Sequence, residues 1–222
     1  MMKICVVSFY TNNYEIGKEI EPLHRAYCLK NDYDYKCFYT IPEYLKDRHP
    51  AWSKLHYILQ VLNENYDYVF WIDADAFFCN FNYKIENWIN FDKNLILARD
   101  AGVNYSQWNK YKYLINSGAM IFKNIEWSKN ILGFIIHHNK FKPFYNNPTW
   151  EQVAIRRCLK LDHYKIRSCT EIISNLNFNC NTNNLDEFIK KNGFIVHLTT
   201  FNGKWQDKNL NNILKFKNKI GI

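Results

Sequence analysis

Two carboxylates one residue apart, Asp73 and Asp75, close the apolar run Tyr68-Val69-Phe70-Trp71-Ile72. A short continuous apolar run is the pattern of a strand buried on both faces, as at the centre of an α/β sheet. Acids at i and i+2 where such a strand ends sit together at the mouth of the sheet, where open α/β folds bind ligands. Hard, oxygen-seeking cations are held there by one or two carboxylates together with the phosphates of a substrate. Asp pairs also stop strands and open turns with no ligand involved. Two acids beside so much buried aromatic surface are costly unless paired or metal-bound, and this favours the ligand reading.

Other residue types add chemistry of their own. Glu151 and Gln152 open a predicted helix, whose N-terminal dipole faces a ligand; the same pair after Thr149 also fits an ordinary capping arrangement. His197 ends the run Phe194-Ile195-Val196, where a single histidine reads by itself as a satisfied core residue or as a ligand. Lys54 lies one turn into a predicted helix and taken alone is a solvated lysine. The Gly203-Lys204 pair allows close approach and supplies a point charge. Asn116-Ser117-Gly118 enters a strand, and its glycine lets the backbone come near a bound group.

The elements that must position these residues alternate. Ile4–Phe9 is predicted as a first buried strand, with Asn12 and Asn13 turning the chain into a helix from about Tyr14 to Lys30. Tyr35–Tyr39 alternates as a second strand, closed by Ile41-Pro42. Trp52 to Asn65 carries a helical stripe at Trp52, Leu55, Ile58, Leu59 and Leu62, and the acid-tipped strand follows. Strand–helix–strand–helix–strand is the α/β pattern with a mainly parallel sheet. Leu95–Ala98 and Gly118–Phe122 are further strands, and Ile125–Asn139 a helix ended at Lys142-Pro143. Thr149 is the expected N-cap of the next helix, with Gln152 at its third position. Beyond residue 160 the pattern is less distinct until the last strand, Phe194–Leu198, and a short helix near Asn209–Lys217.

At 222 residues, with 47% hydrophobic and 18% aromatic content, the chain is expected to form one domain with a large core and no linker. The net charge of +8 comes from scattered lysines, densest between Lys204 and Lys219, and reads mostly as compositional bias with a weaker pull on anionic ligands. The seven cysteines form no Cys-x-x-Cys or Cys/His cluster, so the expectation is free thiols in a reducing compartment rather than a zinc site. With no signal-like segment and no span near ~20 apolar residues, a soluble, cytoplasmic protein is expected, and a viral or bacterial origin would fit.

The blocks Trp52-Ser53-Lys54-Leu55 and Asp67 to Ala76 resemble glycosyltransferase family 34, the galactosyl- and xylosyltransferases of the GT-A fold. Asn116 to Asn124 with Trp127-Ser128 is similar to that family's second block. Trp150-Glu151-Gln152 resembles its acidic-Gln block, and His197 with Gly203-Lys204 its C-terminal histidine. Tyr14-Glu15-Ile16-Gly17, His24, Tyr27-Cys28 and Tyr33 are similar to its N-terminal piece. Together the blocks span roughly residues 4 to 205, in the family's order.

The resemblance implies a Rossmann-like sheet in one domain over 1–222, with a nucleotide-binding half at about 1–100 and an acceptor-binding half at about 101–222. It implies Asp75 as the principal metal ligand, Asp73 on metal or sugar, and His197 as the third protein ligand. A His/Asp set with phosphate oxygens and open positions suits Mn²⁺, with Mg²⁺ as the alternative. Lys54 and Lys204, beside Gly203, would contact the diphosphate of a UDP-sugar donor. Asn116, Ser117 and Gly118 would line the sugar pocket. Either Glu151 or Gln152 would face the anomeric carbon of a retaining enzyme. The implied reaction moves a hexose or pentose onto a hydroxyl of an oligosaccharide or glycoconjugate, with no nucleic-acid partner and no membrane span. A metal-dependent phosphatase of the haloacid dehalogenase type also places Asp-x-Asp after an apolar strand. It needs a later Gly-Asp or Asp-Asp pair, which this sequence lacks. A catalytically idle glycan-binding module is the third reading.

Overall fold

A computed structural model describes residues 2–100, 113–179, 185–198, 213–218 and 221. Its centre is a six-stranded sheet of β1 (Ile4–Phe9), β2 (Asp34–Phe38), β3 (Tyr68–Ile72), β5 (Leu95–Arg99), β6 (Ile115–Lys123) and β7 (Thr170–Ile173), in the order β2-β1-β3-β6-β5-β7. The strands next to β6 pair with it antiparallel and the other neighbours are parallel, so five of the six run one way. Four strands come from residues 1–100 and two from beyond. A second, two-stranded sheet pairs β4 (Ala76–Phe78) antiparallel with β8 (Ile195–His197).

The alternation of side chains across the pleat explains why the strands read as unbroken apolar runs. Val69 and Trp71 of β3, with Cys5 and Val7 of β1 and Met120 and Phe122 of β6, face one core. That core is covered by α2 (Ser53–Leu62), α3 (Glu126–His137) and α4 (Trp150–Leu161). Tyr68, Phe70 and Ile72 face the opposite core, where α1 (Glu15–Asn31) supplies Tyr27 and Cys28. All five residues of β3 are buried. At roughly 1.5–3 kcal/mol for each large side chain taken from water, this strand anchors both layers.

Topology then sets where chemistry can occur. The β1→β2 and β2→β3 connections place α1 and α2 on opposite faces, leaving a crevice beyond the C-terminal ends of β1 and β3. Because β6 runs the other way, its first residues lie beside the end of β3, in the register Ile72↔Ala119. On its other side β6 slips against β5 between Leu97, opposite Met120, and Ala98, opposite Asn116. Ser117, Gly118 and Ala119 are therefore bulged out of the β5 ladder, which frees their backbone to turn toward other elements.

Helix and strand ends differ from the sequence expectation in instructive ways. The predicted Trp52–Asn65 helix begins as a 3₁₀ turn, Pro50–Trp52, and its α-helical part ends at Leu62. Thr149 occupies the N-cap position of α4 but makes no capping bond with its side chain, which hydrogen-bonds Asn147 Oδ1 at 3.0 Å. The strand β7, parallel to β5 at the sheet edge, was not foreseen, because Thr170-Glu171-Ile172-Ile173 is short and half-buried. The last strand joins β4 instead of the central sheet. The final helix is described over 213–218, and the rest of the predicted Asn209–Lys217 segment lies outside the described residues. No helix among the described residues is long and apolar enough to cross a membrane.

Candidate functional site

Asp73-Ala74-Asp75 forms the turn between β3 and β4, closed by Ala76 N donating to Asp73 O at 3.0 Å. β4 pairs with β8 in the register Ala76↔His197, and Leu198 N donates to Asp75 O at 2.8 Å. This small ladder carries a histidine from far along the chain to the aspartates. His197 Nε2 lies 3.2 Å from Asp75 Oδ1 and 3.9 Å from Asp73 Oδ2. One ligand atom from each of the three residues falls within 4.8 Å of the others.

Electrostatics follow from that spacing. Burial opposes charge on His197, but the carboxylates of Asp75 and Asp73 outweigh it and raise the imidazole above its ordinary value. Burial likewise works against the Asp75 carboxylate, and the His197 imidazole with Lys54 more than offsets it, so Asp75 is lowered. The Tyr14 hydroxyl, at the start of α1, is pushed up by burial and by Asp75 and Asp73, and it hydrogen-bonds Asp75. Nitrogen and oxygen donors converging in this way, with His197 Nδ1 lacking a partner among the described residues, suit a divalent cation.

Asp73 is held on its other side. Its Oδ1 accepts from Trp71 Nε1 at 2.7 Å and lies 2.9 Å from Lys54 Nζ, which leaves Oδ2 toward His197. Lys54, the second residue of α2, is buried. Its ammonium also donates to Glu151 Oε1 at 2.6 Å and to the Ser117 carbonyl at 3.1 Å. Burial disfavours its charge, yet Asp73 and Glu151 raise the lysine above its ordinary value. Glu151 is raised in turn, first by burial and then by Asp73, against the pull of Lys54 and Ser117.

The bulge in β6 completes the arrangement. Ser117 N donates to Gln152 Oε1 at 2.8 Å, and Ser117 Oγ to Glu151 Oε1 at 2.8 Å. Gln152 is therefore turned onto β6 instead of reaching back as a capping residue. Gly118 N donates to Asn116 Oδ1 at 2.7 Å, and Asp73 N donates to Gly118 O at 2.8 Å. A β-carbon at Gly118 would lie 2.1 Å from His197 Cε1, so only glycine fits.

The structure thus brings together Lys54, Asp73, Asp75, Asn116, Ser117, Gly118, Glu151, Gln152 and His197. Gly203 and Lys204 lie outside the described residues. Sequence reasoning missed the tie from Trp71 to Asp73 and the buried Asn179, whose Nδ2 donates to Asn116 Oδ1 at 2.8 Å. Asn179 sits in a stretch with little periodicity, and no sequence signal marks it. Tyr14 was noted only as part of the N-terminal block.

Comparisons with known proteins bear on the fold and on the first half of the chain. The model of the galactosyl transferase GMA12/MNN10 family matches residues 10–114, which include Lys54, Asp73 and Asp75 but stop short of β6 and α4. No curated protein matches the sequence. A glycosyltransferase involved in the glycosylation of the major capsid of PBCV-1 is similar in structure, with a TM-score of 0.72 at 16% identity, over 96% of this chain and 99% of that one. The galactosyltransferase LgtC, solved with donor and acceptor sugar analogs, gives a TM-score of 0.58 at 14% identity, over 98% of this chain and 95% of that one. GlyE of Streptococcus pneumoniae TIGR4 gives 0.55 at 12% identity, over 100% of this chain and 64% of that one. At such identities the structural likeness speaks for the fold alone, and the family match speaks for residues 10–114. The chain thus has the GT-A fold of these glycosyltransferases, and its residues 10–114 match the model of the galactosyl transferase GMA12/MNN10 family.

Proposed function

We propose that this chain transfers a hexose or pentose from a UDP-sugar to a hydroxyl of a glycan or glycoconjugate, with retention, in a reaction that depends on Mn²⁺ or Mg²⁺. The observation that carries the reading is the convergence of Asp73, Asp75 and His197 at the edge of the sheet where the crevice between β1 and β3 opens. These three would hold the cation, which when bound neutralises the charge gathering on the departing diphosphate. Galactose, glucose and xylose are the candidate donor sugars. The family name and the galactosyltransferase LgtC favour the first.

The chain's own residues divide the remaining work. Residues 1–100 would form the nucleotide-binding half, and Asn116, Ser117 and Gly118 the wall of the sugar pocket. Lys54, paired with Asp73 and Glu151, would fix the acids rather than lie free in solution; with Gly203 and Lys204 it would bring positive charge to the diphosphate. Gln152 is the residue we place against the anomeric carbon. An amide is a poor nucleophile, and its oxygen already accepts from Ser117 N. That supports front-side displacement through an oxocarbenium-like ion pair, the departing phosphate oxygen taking the acceptor's proton. Glu151 is the alternative, and its burial against Lys54 supports a positioning role.

The phosphatase alternative needs a distal acid in the site. Asp100 instead pairs with Arg156 at 2.5 Å, and Asp162 accepts from Arg167 N at 3.0 Å. A screen of UDP-sugars for UDP release with Mn²⁺, repeated on Asp75→Ala, tests the reading. Wild type that neither binds nor turns over any UDP-sugar sinks it. Anomeric NMR of the product checks retention separately, and a β-linked product from an α-donor overturns that part.

A further inference from the structure

The junction of α2 and α4 has an inner and an outer contact. Inside is the Lys54–Glu151 ion pair. Outside, the rings of His49 and Trp150 stack with centroids 4.2 Å apart and planes 10° from parallel. His49 precedes the Pro50–Trp52 turn that leads into α2, and Trp150 is the first residue of α4. A helix crossing between two parallel strands begins at their C-terminal edge, so the stack rims the edge that bears Asp73 and Asp75. Next to it, Ser117 of β6 bonds both Glu151 and Gln152.

Trp150 is unlike the tryptophans of the core. Trp52 and Trp71 are fully buried, whereas Trp150 is 38% exposed. Its backbone sits at φ 44°, a left-handed conformation unfavourable for a bulky side chain. Trp150 N donates to Asn147 O at 2.8 Å, and Thr149 N bonds Asn147 Oδ1 at 3.0 Å, so the turn that presents the indole is tied down. The backbone of His49 is fixed by its N–H, which donates to Tyr145 O at 3.2 Å, and its ring by Ala51 N, which donates to Nδ1 at 3.2 Å. One face of the indole is thus backed by a held imidazole while part of the ring stays open to solvent, one residue from Glu151 and two from Gln152.

A fixed, part-exposed aromatic ring has a specific complement. Pyranose C–H groups carry slight positive charge and stack on the negative face of a ring, and a ring already immobilised loses little entropy on binding. We propose that Trp150, backed by His49, is the platform on which the acceptor's sugar ring rests beside Gln152. This rests on the transferase reading and adds to it where the acceptor is held.

The test compares wild type with Trp150→Ala, Trp150→Phe and His49→Ala. Acceptor KM is measured with lactose, cellobiose and maltose, UDP-sugar KM by UDP release, and folding by thermal unfolding. On the platform reading Trp150→Ala raises acceptor KM about tenfold, a shift typical of losing one stacking contact. UDP-sugar KM changes by less than about twofold, and Trp150→Phe recovers most of the loss. Acceptor KM unchanged in a folded Trp150→Ala overturns the proposal. So does an equal loss of UDP affinity, which would assign the ring to the nucleobase. Disaccharide binding without donor, read by calorimetry, separates this from the parent reading. Binding lost in both folded Trp150 and His49 variants upholds the platform even where wild type turns over no UDP-sugar; binding kept in both removes it.

Discussion

Lys54 and Glu151 hold each other at 2.6 Å with neither side chain reaching solvent, and the pair fastens the start of α2 to the start of α4. Its third member is Asp73, 2.9 Å from the same ammonium. A charge placed this deeply persists only because every partner is present.

Removing the cation should therefore be costly. Lys54→Met leaves two carboxylates facing each other without compensation, and the expected loss is about 3–5 kcal/mol. Pairing it with Glu151→Gln removes one of those charges and should return part of the loss. Urea unfolding of the two singles and the double gives the coupling directly. A loss below about 1 kcal/mol for Lys54→Met would show that the pair does not organise the junction.

Gly118→Ala tests the proposed metal centre without replacing a ligand. The new methyl would fall 2.1 Å from His197 Cε1 and 2.5 Å from Nδ1, so the imidazole must move. We expect the thermal shift produced by Mn²⁺ to shrink to the level of His197→Ala. Retention of the full shift would mean that His197 has no part in holding the ion.

Mn²⁺ itself should stabilise the fold. At a free concentration 100 times its Kd, a ligand of the native state adds about 2.7 kcal/mol. Asp75→Ala and His197→Ala should each remove most of that increment, and EDTA should return wild type to its unliganded melting temperature. Differential scanning calorimetry with and without the ion reads all three.

His24 gives a pH dependence away from the site. It is buried in α1, with Nε2 2.7 Å from Ala76 O and Nδ1 3.2 Å from the Tyr35 hydroxyl. Burial lowers it from 6.5 to about 4, with the Ala76 carbonyl and Glu21 pulling weakly the other way. Between those values the unfolded chain binds the extra proton, so this contribution is complete above pH 6.5 and is lost as pH falls toward 4. The full difference corresponds to roughly 3 kcal/mol. His24→Gln should flatten the pH 4–6.5 limb of the stability curve measured by denaturant unfolding; an unchanged slope would assign it to other groups.

The strands were legible in the sequence because both faces of the sheet are covered. Val69 and Trp71 go to one core and Phe70 and Ile72 to the other, so no polar residue interrupts the run. The Asp73-Ala74-Asp75 turn was legible for the same reason, as acids ending such a run. What escaped depends on register. The slip opposite Leu97 that turns Ser117 N to Gln152 leaves no mark on composition or period. Nor does the burial of Lys54, since a lysine at a helix start reads as solvated until two acids from β3 and α4 are seen to meet it. Thr149 had the type of a cap, but its hydroxyl was drawn to Asn147 by the same turn that sets the strained backbone of Trp150.

On the proposed metal reading, the β4–β8 ladder would tie catalytic competence to the order of events in folding. Asp75 and His197 stand 122 positions apart, and they meet only through a two-stranded pairing separate from the central sheet. Long-range closures of this kind are entropically expensive and tend to form late. A nascent chain that has laid down β1 to β6 would already hold both aspartates, yet lack the third donor until β8 arrives. Ion binding at the proposed site would thus serve as a checkpoint on the finished molecule, since an N-terminal fragment ending before β8 carries the acid pair without its imidazole.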